Sequence, residues 1–593
     1  MHIECYKDKK ITLVRVNNYK PIIKFNFSES NFSKVKGDEI NFKGNKIKFE
    51  RYDNSIVISK DLQIKEHLLG LGENTFNLDK RRTKLSLWNT DSYNYHRYTD
   101  HLYVSIPFLI SVSNKGKFGI FVNYTGRIEF DNGIKEYNKM QIAVNSKSFD
   151  VFLIEGNSIK EIIRNFVELT GKPFKIPKWA LGHSISRYTY FPQETVVDVL
   201  KEYKKHTKLD AIYLDIDYMD KYRIFEWNKN HFPRPEKLIN SLHKLNTKVV
   251  TILDPTLRVD QNYKLFKEGL GNYCENPDGS LYISKMWAGQ CVYPDFLNKN
   301  VREWWGKLIK NWVNTYKIDG IWLDMNEPSA FNENRTLDSN VLHKIDNKRV
   351  ARHEEVHNAY AYFEAMATYD ALKEPFILSR SGYAGIQKYA AIWSGDSTST
   401  WEDMSLQIPL LLNLSISGVP YVGCDIGGFN GRSDQDLLVA YYKMAVFFPI
   451  FRNHKNKLEN DQEIYTLDDK HKEEIKKVIE IRYLFMDYII ELAENAHKNG
   501  DPIIRPLLYE FESDENTYNV NDEYMLGSKI LYAPLLEKNI DKRDIYLPIG
   551  DWMEFSIKKE FHGPCYIKSE TNMPIFIRKG SKIKLTDGRV LTY

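Results

Sequence analysis

Up to about residue 155 the chain alternates apolar and polar positions over short runs. "KITLVRV", "NKIKFERY", "SIVISK", "KFGIFVNY" and "SFDVFLI" are examples, each bounded by turn residues. Period-two alternation with little helical periodicity predicts an N-terminal β-sandwich over 1–155. After "GKPFKIPKWALG" the pattern changes. Eight apolar runs ("ALGHSIS", "AIYLDI", "KVVTIL", "GIWLDM", "PFILSR", "AAIWSG", "PYVGCD", "FFPIFRN") now alternate with helical stretches such as "ETVVDVLKEYKKH" and "REWWGKLIKNWVNTY". Eight β/α units in series predict an α/β architecture, a (β/α)8 TIM barrel over 156–490. The segment within about 226–300 is longer than one crossover needs, which predicts an insertion over one face of the barrel. "KEEIKKVIEIRYLFMDYIIELAENAHKNG" reads as a single long amphipathic helix. From there to residue 593 short β runs return, predicting a second, C-terminal β-sandwich over 491–593.

The barrel reading turns the strand ends into a map of chemistry, because catalytic groups of this fold sit at the C-terminal ends of the strands. Read in order, the tips carry Asp215 and Asp217, then Asp254, then Asp324 and Glu327. Arg380, Asp396 and Asp425 follow, and Arg452 and His454 end the series. A single such Asp is most simply a surface or capping group. A ring of them is not, because burying an unpaired carboxylate costs several kcal/mol. Trp287, Trp322, Trp393 and Phe429 lie beside these tips in sequence. Flat apolar rings among hydrogen-bond acceptors suit a sugar, whose C–H faces stack while its hydroxyls need partners. Two carboxylates flanking a glycosidic bond are what glycoside hydrolysis requires, one ionised and one protonated. Arg380 is placed to hold one of them ionised.

Composition narrows the class. The 593 residues exceed what one hydrophobic core fills, and 83 basic against 79 acidic residues leave a net charge of +4. Such balance excludes a nucleic-acid footprint and suits a neutral oligosaccharide as the partner. No window holds eighteen uncharged apolar residues, so no membrane span is expected. The start, "MHIECYKDKKITLVRV", carries charges where a signal peptide needs an apolar run. Five scattered cysteines with no CxxC pair indicate free thiols and a cytoplasmic setting, although a Cys274–Cys291 bridge is a formal alternative. "HEEVH" (His353–His357) matches a zinc-protease pattern. No third ligand stands out near it, so it is read as hydrogen bonding near the barrel rim, and no metal or organic cofactor is expected. Self-association into a homo-oligomer is compatible with the sequence.

These motifs resemble those of glycoside hydrolase family 31, the retaining α-glucosidase family, over nearly the whole chain. "IWLDMNEPSAF" is similar to the family's nucleophile signature, which makes Asp324 the nucleophile. "WSGDSTSTW" resembles the acid/base segment, with Asp396 in that role. The resemblance further implies a substrate pocket built from Asp91, Asp215, Ile216, Ile252, Trp287, Trp322, Met325, Arg380, Trp393, Asp425, Phe429, Arg452 and His454. "WNTD" around Asp91 looks like the loop that reaches from the N-terminal domain over the barrel. Glu327 is read as a structural partner. Two departures stand out. The chain ends after a proximal C-terminal domain where relatives often add a distal one, and Tyr188 occupies a position where many carry Trp. The implied reaction is exo-hydrolysis of terminal α-linked glucose from malto- or isomalto-oligosaccharides through a covalent glucosyl-enzyme. An α-xylosidase, a sulfoquinovosidase or an α-transglucosylase would use the same site, and a non-catalytic carbohydrate-binding protein is the rival from another class.

Overall fold

The structure, a computed structural model, describes residues 1–35 and 37–593. The N-terminal strands form two antiparallel sheets, one of seven strands and one of six. Strand Asn45–Tyr52 shows why: Asn45, Ile47 and Phe49 are buried while Lys46, Lys48 and Glu50 face solvent. The inner faces share a core that includes Val14, Ile58, Phe118, Ile142 and Val151.

Eight parallel strands close the barrel. They are β1 (His183–Arg187), β2 (Ala211–Leu214), β3 (Lys248–Leu253), β4 (Gly320–Leu323), β5 (Phe376–Ser379), β6 (Ala391–Trp393), β7 (Val422–Ile426) and β8 (Ile450–Asn453). Every residue of β2, β4 and β5 is buried, as expected where helices cover one face and the packed interior covers the other. Between β3 and the helix Lys299–Tyr316 lies a three-stranded sheet of Leu257–Arg258, Ser284–Met286 and Gly289–Val292. A hairpin after β4, Leu342–Lys344 with Val350–Arg352, was not expected, since three-residue strands carry no readable period.

One expectation is corrected. The single long helix is two, Asp469–Leu484 and Met486–Asn499, joined at Phe485 with φ −91° and ψ 7°. Phe485 is fully buried between Phe447 and Phe555, so tertiary packing overrides the helical period there. The C-terminal β domain is built on a six-stranded antiparallel sheet and a two-stranded ribbon. Its edge strand Glu560–Lys568 alternates exposed and half-buried residues, and Phe561, Cys565 and Ile567 pack on the domain core. Among the described residues no helix is long and apolar enough to cross a membrane.

One contact governs the site. Val104–Ser105 of the N-terminal domain pairs in parallel with Gly382–Tyr383, the segment just beyond β5. The aromatic loop that precedes Val104 is thereby held over the C-terminal ends of the barrel strands.

Candidate active site

A cavity of about 490 Å3 opens at those strand ends. Asp215, Asp324, Arg380 and His454 each follow directly on the last residue of β2, β4, β5 and β8, and Asp396 stands three residues past β6. Rigid strands therefore place five charged or titratable side chains around one mouth.

The backbone at each carboxylate is specialised. The Met325 N–H donates to Asp324 Oδ1 (2.8 Å), and the Asp324 N–H donates to the Leu253 carbonyl (3.1 Å). Met325 itself is left-handed (φ 58°), a conformation that costs about 1 kcal/mol or more in a non-glycine residue. Asp215 accepts from the Ile216 N–H (2.7 Å) and so starts its own turn. Before Asp396, Gly395 has φ 66°, and a Cβ there would lie 2.2 Å from the ring of Tyr103. Only glycine fits between that ring and the chain. The Asp396 N–H donates to Tyr103 Oη (3.3 Å), and the Asn94 N–H donates to the Asp396 carbonyl (3.0 Å). The aromatic N-terminal loop thus holds the segment carrying Asp396.

Arg380 organises the charges. Its guanidinium meets Glu327 in a bidentate pair (Nε–Oε1 2.8 Å, Nη2–Oε2 2.9 Å), with both side chains fully buried. The same group lies 3.1 Å from Asp324, 3.7 Å from Asp396 and 3.7 Å from Asp91. One fixed cation therefore serves four carboxylates, and the distances are unequal. Burial pushes the Asp324 carboxyl up from its usual range, with Arg380 opposing this at close quarters. Burial pushes Asp396 well up, with Arg380 acting from farther away and the Asp324 charge adding to the rise. Asp91 is raised to about 6, chiefly by burial. The environment thus separates Asp324, next to its cation, from Asp396, the more readily protonated of the two. Such a split is how paired carboxylates divide acid and nucleophile roles.

The cavity walls match a polyol. Among the described residues that line the cavity, Asp91 Oδ1, Trp322 Nε1 and His454 Nδ1 are buried without a hydrogen-bond partner in the protein. Buried polar atoms are nearly always paired, so a group of orphans at one mouth marks a place for ligand hydroxyls. His454 stacks on Phe429 (4.9 Å) and meets Trp322 edge-on (5.1 Å). Burial, with Arg452 nearby, holds His454 well below its ordinary range, so the ring is neutral. At the outer rim Trp287 and Phe331 are exposed and pack edge to face at 4.9 Å.

Asp91, Asp215, Ile216, Trp287, Trp322, Asp324, Met325, Arg380, Asp396, Phe429 and His454 line the cavity. Ile252, Trp393, Asp425 and Arg452 are not among its lining residues. Arg452 pairs with Asp425 (2.6 Å) beneath the floor, and its guanidinium lies among the Trp322, Trp393 and Tyr213 rings. Ile252 is a core residue whose carbonyl accepts from Tyr218 Oη (2.8 Å). These four belong to the packed interior layers that fill such barrels. Tyr93, Asn332, Arg335, Asn430 and Asn456 line the cavity without having been singled out in the sequence. Tyr93 stands in the aromatic loop and Asn332 directly follows the "DMNEPSAF" run, so each had a signal, while Asn430 and Asn456 had none. In "HEEVH", His353 Nε2 and His357 Nδ1 face each other at 2.8 Å rather than converging on a common point.

Profiles of three family domains match the chain. The glycosyl hydrolase 31 N-terminal galactose mutarotase-like domain covers residues 3–131, the glycosyl hydrolases family 31 TIM-barrel domain 173–492, and the glycosyl hydrolase family 31 C-terminal domain 500–583. An alpha-glucosidase of Saccharolobus solfataricus is 42% identical over 100% of this chain and 89% of its own length. Alpha-glucosidase 2 of Bacillus thermoamyloliquefaciens is 37% identical over 90% of this chain and 69% of its own length. Among solved structures, a Flavobacterium johnsoniae GH31 dextranase mutant complexed with isomaltotriose superposes with a TM-score of 0.89 at 27% identity, covering 98% of this chain and 78% of that one.

Proposed function

The chain belongs to glycoside hydrolase family 31 and is an α-glucosidase, and on that premise we propose the division of labour at its site. Asp324 attacks the anomeric carbon and Asp396 protonates the leaving oxygen, then activates water in the second step. The carrying observation is the single guanidinium of Arg380, 3.1 Å from one carboxylate and 3.7 Å from the other. Both aspartates keep partly open side chains, 16% and 21% exposed, as groups that must meet a substrate do. The floor is closed by the packed barrel interior, so the cavity accepts a chain end rather than a passing chain, which supports exo-action on terminal glucose of malto- or isomalto-oligosaccharides. Five free cysteines support a reducing, cytoplasmic setting.

Two experiments test this reading. Proton NMR of the earliest product should show α-glucose before mutarotation, because two displacements at one carbon retain configuration. Initial β-glucose would rule the assignment out. Asp215→Ala should cost about 2–3 kcal/mol in kcat/KM, the loss of a buried charged or strongly polar partner to a sugar hydroxyl. Unchanged kinetics in a folded Asp215→Ala protein would remove Asp215 from the sugar pocket.

A further inference from the structure

Away from the cavity, a chain of fully buried histidines crosses from the barrel insertion to the N-terminal loop. His357 Nε2 lies 2.7 Å from the Asn89 carbonyl, His357 Nδ1 lies 2.8 Å from His353 Nε2, and His353 Nδ1 lies 2.9 Å from His343 Nε2. At the far end, His343 Nδ1 lies 2.9 Å from Asp295 Oδ1 and 3.7 Å from Cys274 Sγ. All three rings are fully buried, and an isolated buried charge is costly, so His357 and His353, which face no carboxylate, are counted as neutral.

The tautomers can then be counted. A carbonyl only accepts, so His357 carries its proton on Nε2 and presents a bare Nδ1. That bare nitrogen requires a proton on His353 Nε2, which leaves His353 Nδ1 bare. The same step puts a proton on His343 Nε2. A neutral His343 therefore turns a lone pair on Nδ1 toward Asp295 Oδ1, acceptor against acceptor, at 2.9 Å. The Cys274 thiol proton can serve the nitrogen but does nothing for the carboxylate, whose other oxygen already accepts from the Lys344 N–H (2.6 Å). A positive charge has to sit at this point.

We propose that Cys274, Asp295 and His343 form a structural site for one divalent transition-metal ion of the zinc class. Their donor atoms are sulfur, oxygen and nitrogen, all buried and all within 4.8 Å of one another. An ion about 2.0–2.3 Å from each donor needs donors about 3–4 Å apart; His343 Nδ1 lies 2.9 Å from Asp295 Oδ1 and 3.7 Å from Cys274 Sγ, so small side-chain shifts bring the set to that spacing. Metal-bound histidine normally donates its other N–H to a fixed partner, the arrangement His343 Nε2 makes with His353. Charge also balances, since a thiolate and a carboxylate neutralise a divalent ion. Binding releases the Cys274 thiol proton to solvent as the S–metal bond forms. The ion would tie the insertion (Cys274, Asp295) to the hairpin after β4 (His343). Through the histidines it would also brace Asn89, two residues from Asp91 in the cavity. It takes no part in the hydrolytic chemistry.

The test is metal analysis of the full-length protein expressed in zinc-supplemented medium and purified without chelator, with a cobalt-substituted sample beside it. About one zinc per chain is expected, and the cobalt protein should show a thiolate-to-cobalt charge-transfer band. That band should vanish in Cys274→Ser and persist in Cys565→Ser. Stripping the metal from wild-type protein should lower Tm, and zinc should restore it. If Cys274→Ser fails to fold, the wild-type metal content and cobalt spectrum still decide. A metal-free protein whose Tm is indifferent to zinc would overturn the proposal, as would cobalt bound with no thiolate band. The charge would then be a proton, which nitrogen NMR would show as a doubly protonated His343.

Discussion

Asp324→Ala is expected to be inactive toward both maltose and α-glucosyl fluoride, whereas Asp396→Ala should still react rapidly with the fluoride. The difference follows from what each group supplies. A nucleophile is needed whatever the leaving group, so removing Asp324 leaves no route to the covalent intermediate. General acid catalysis is worth about 10²–10⁴-fold, and only where the departing oxygen needs a proton. Fluoride leaves almost unaided, so Asp396→Ala should lose that factor on maltose and little of it in the first step with fluoride. The same residue is the base toward water in the second step. Hydrolysis of the intermediate should therefore slow, and a glucosyl adduct should accumulate in the Asp396→Ala protein. Burst kinetics and intact-protein mass on both variants read this directly. An adduct trapped on Asp324→Ala instead would reverse the roles. The spacing to Arg380 points the same way as the chemistry, since the carboxylate nearer the cation is the one that must remain ionised.

The barrel and its catalytic mouth were legible because two periodicities coincide with chemistry. An apolar run such as "GIWL" can only be a buried strand in this context, and the polar residue that ends it can only face the open end. Asp215, Asp324, Arg380, Asp396 and His454 were readable on those grounds. Arg452 and Asp425 were not separable from them, because a tip residue that points inward one layer below the floor has the same sequence pattern as one at the wall. Their burial is compensated by each other, at 2.6 Å, and that pairing is a fact of three dimensions. Phe485 illustrates the opposite failure. Its position fits a continuous amphipathic helix, and only the Phe447 and Phe555 rings against it show that the chain turns there. Tyr103 and Asn94, which hold the Asp396 segment, come from another domain, and no local pattern announces a partner almost three hundred residues away.

Arg380→Gln should produce the other large effect, and its pH dependence distinguishes a charge from a shape. The substitution leaves Glu327, Asp324, Asp91 and Asp396 without the cation they share. Breaking a buried ion pair by removing one partner costs about 3–5 kcal/mol of stability, because the remaining charge is uncompensated. The carboxylates can escape that cost only by taking up protons. The folded pKa values of Asp324, Asp396 and Asp91, already raised in the wild type with Asp91 at about 6, then rise further above the unfolded ones. A raised folded pKa contributes stability below the unfolded pKa that is lost as pH climbs through the folded pKa. The penalty of Arg380→Gln should therefore be small near pH 4–5 and should grow through about pH 6 to its full size above, on the linkage between proton binding and folding. Activity should follow the same sign. Asp324 attacks only when ionised, and without Arg380 its carboxyl titrates higher, so the rising limb of kcat/KM for α-glucosyl fluoride should move to higher pH. Denaturant melts of both proteins at acid and neutral pH, with the pH–rate profile alongside, give the comparison. A penalty equal at both pH values would mean that Arg380 acts through packing alone. An unshifted limb would show that Asp324 does not depend on that guanidinium for its charge.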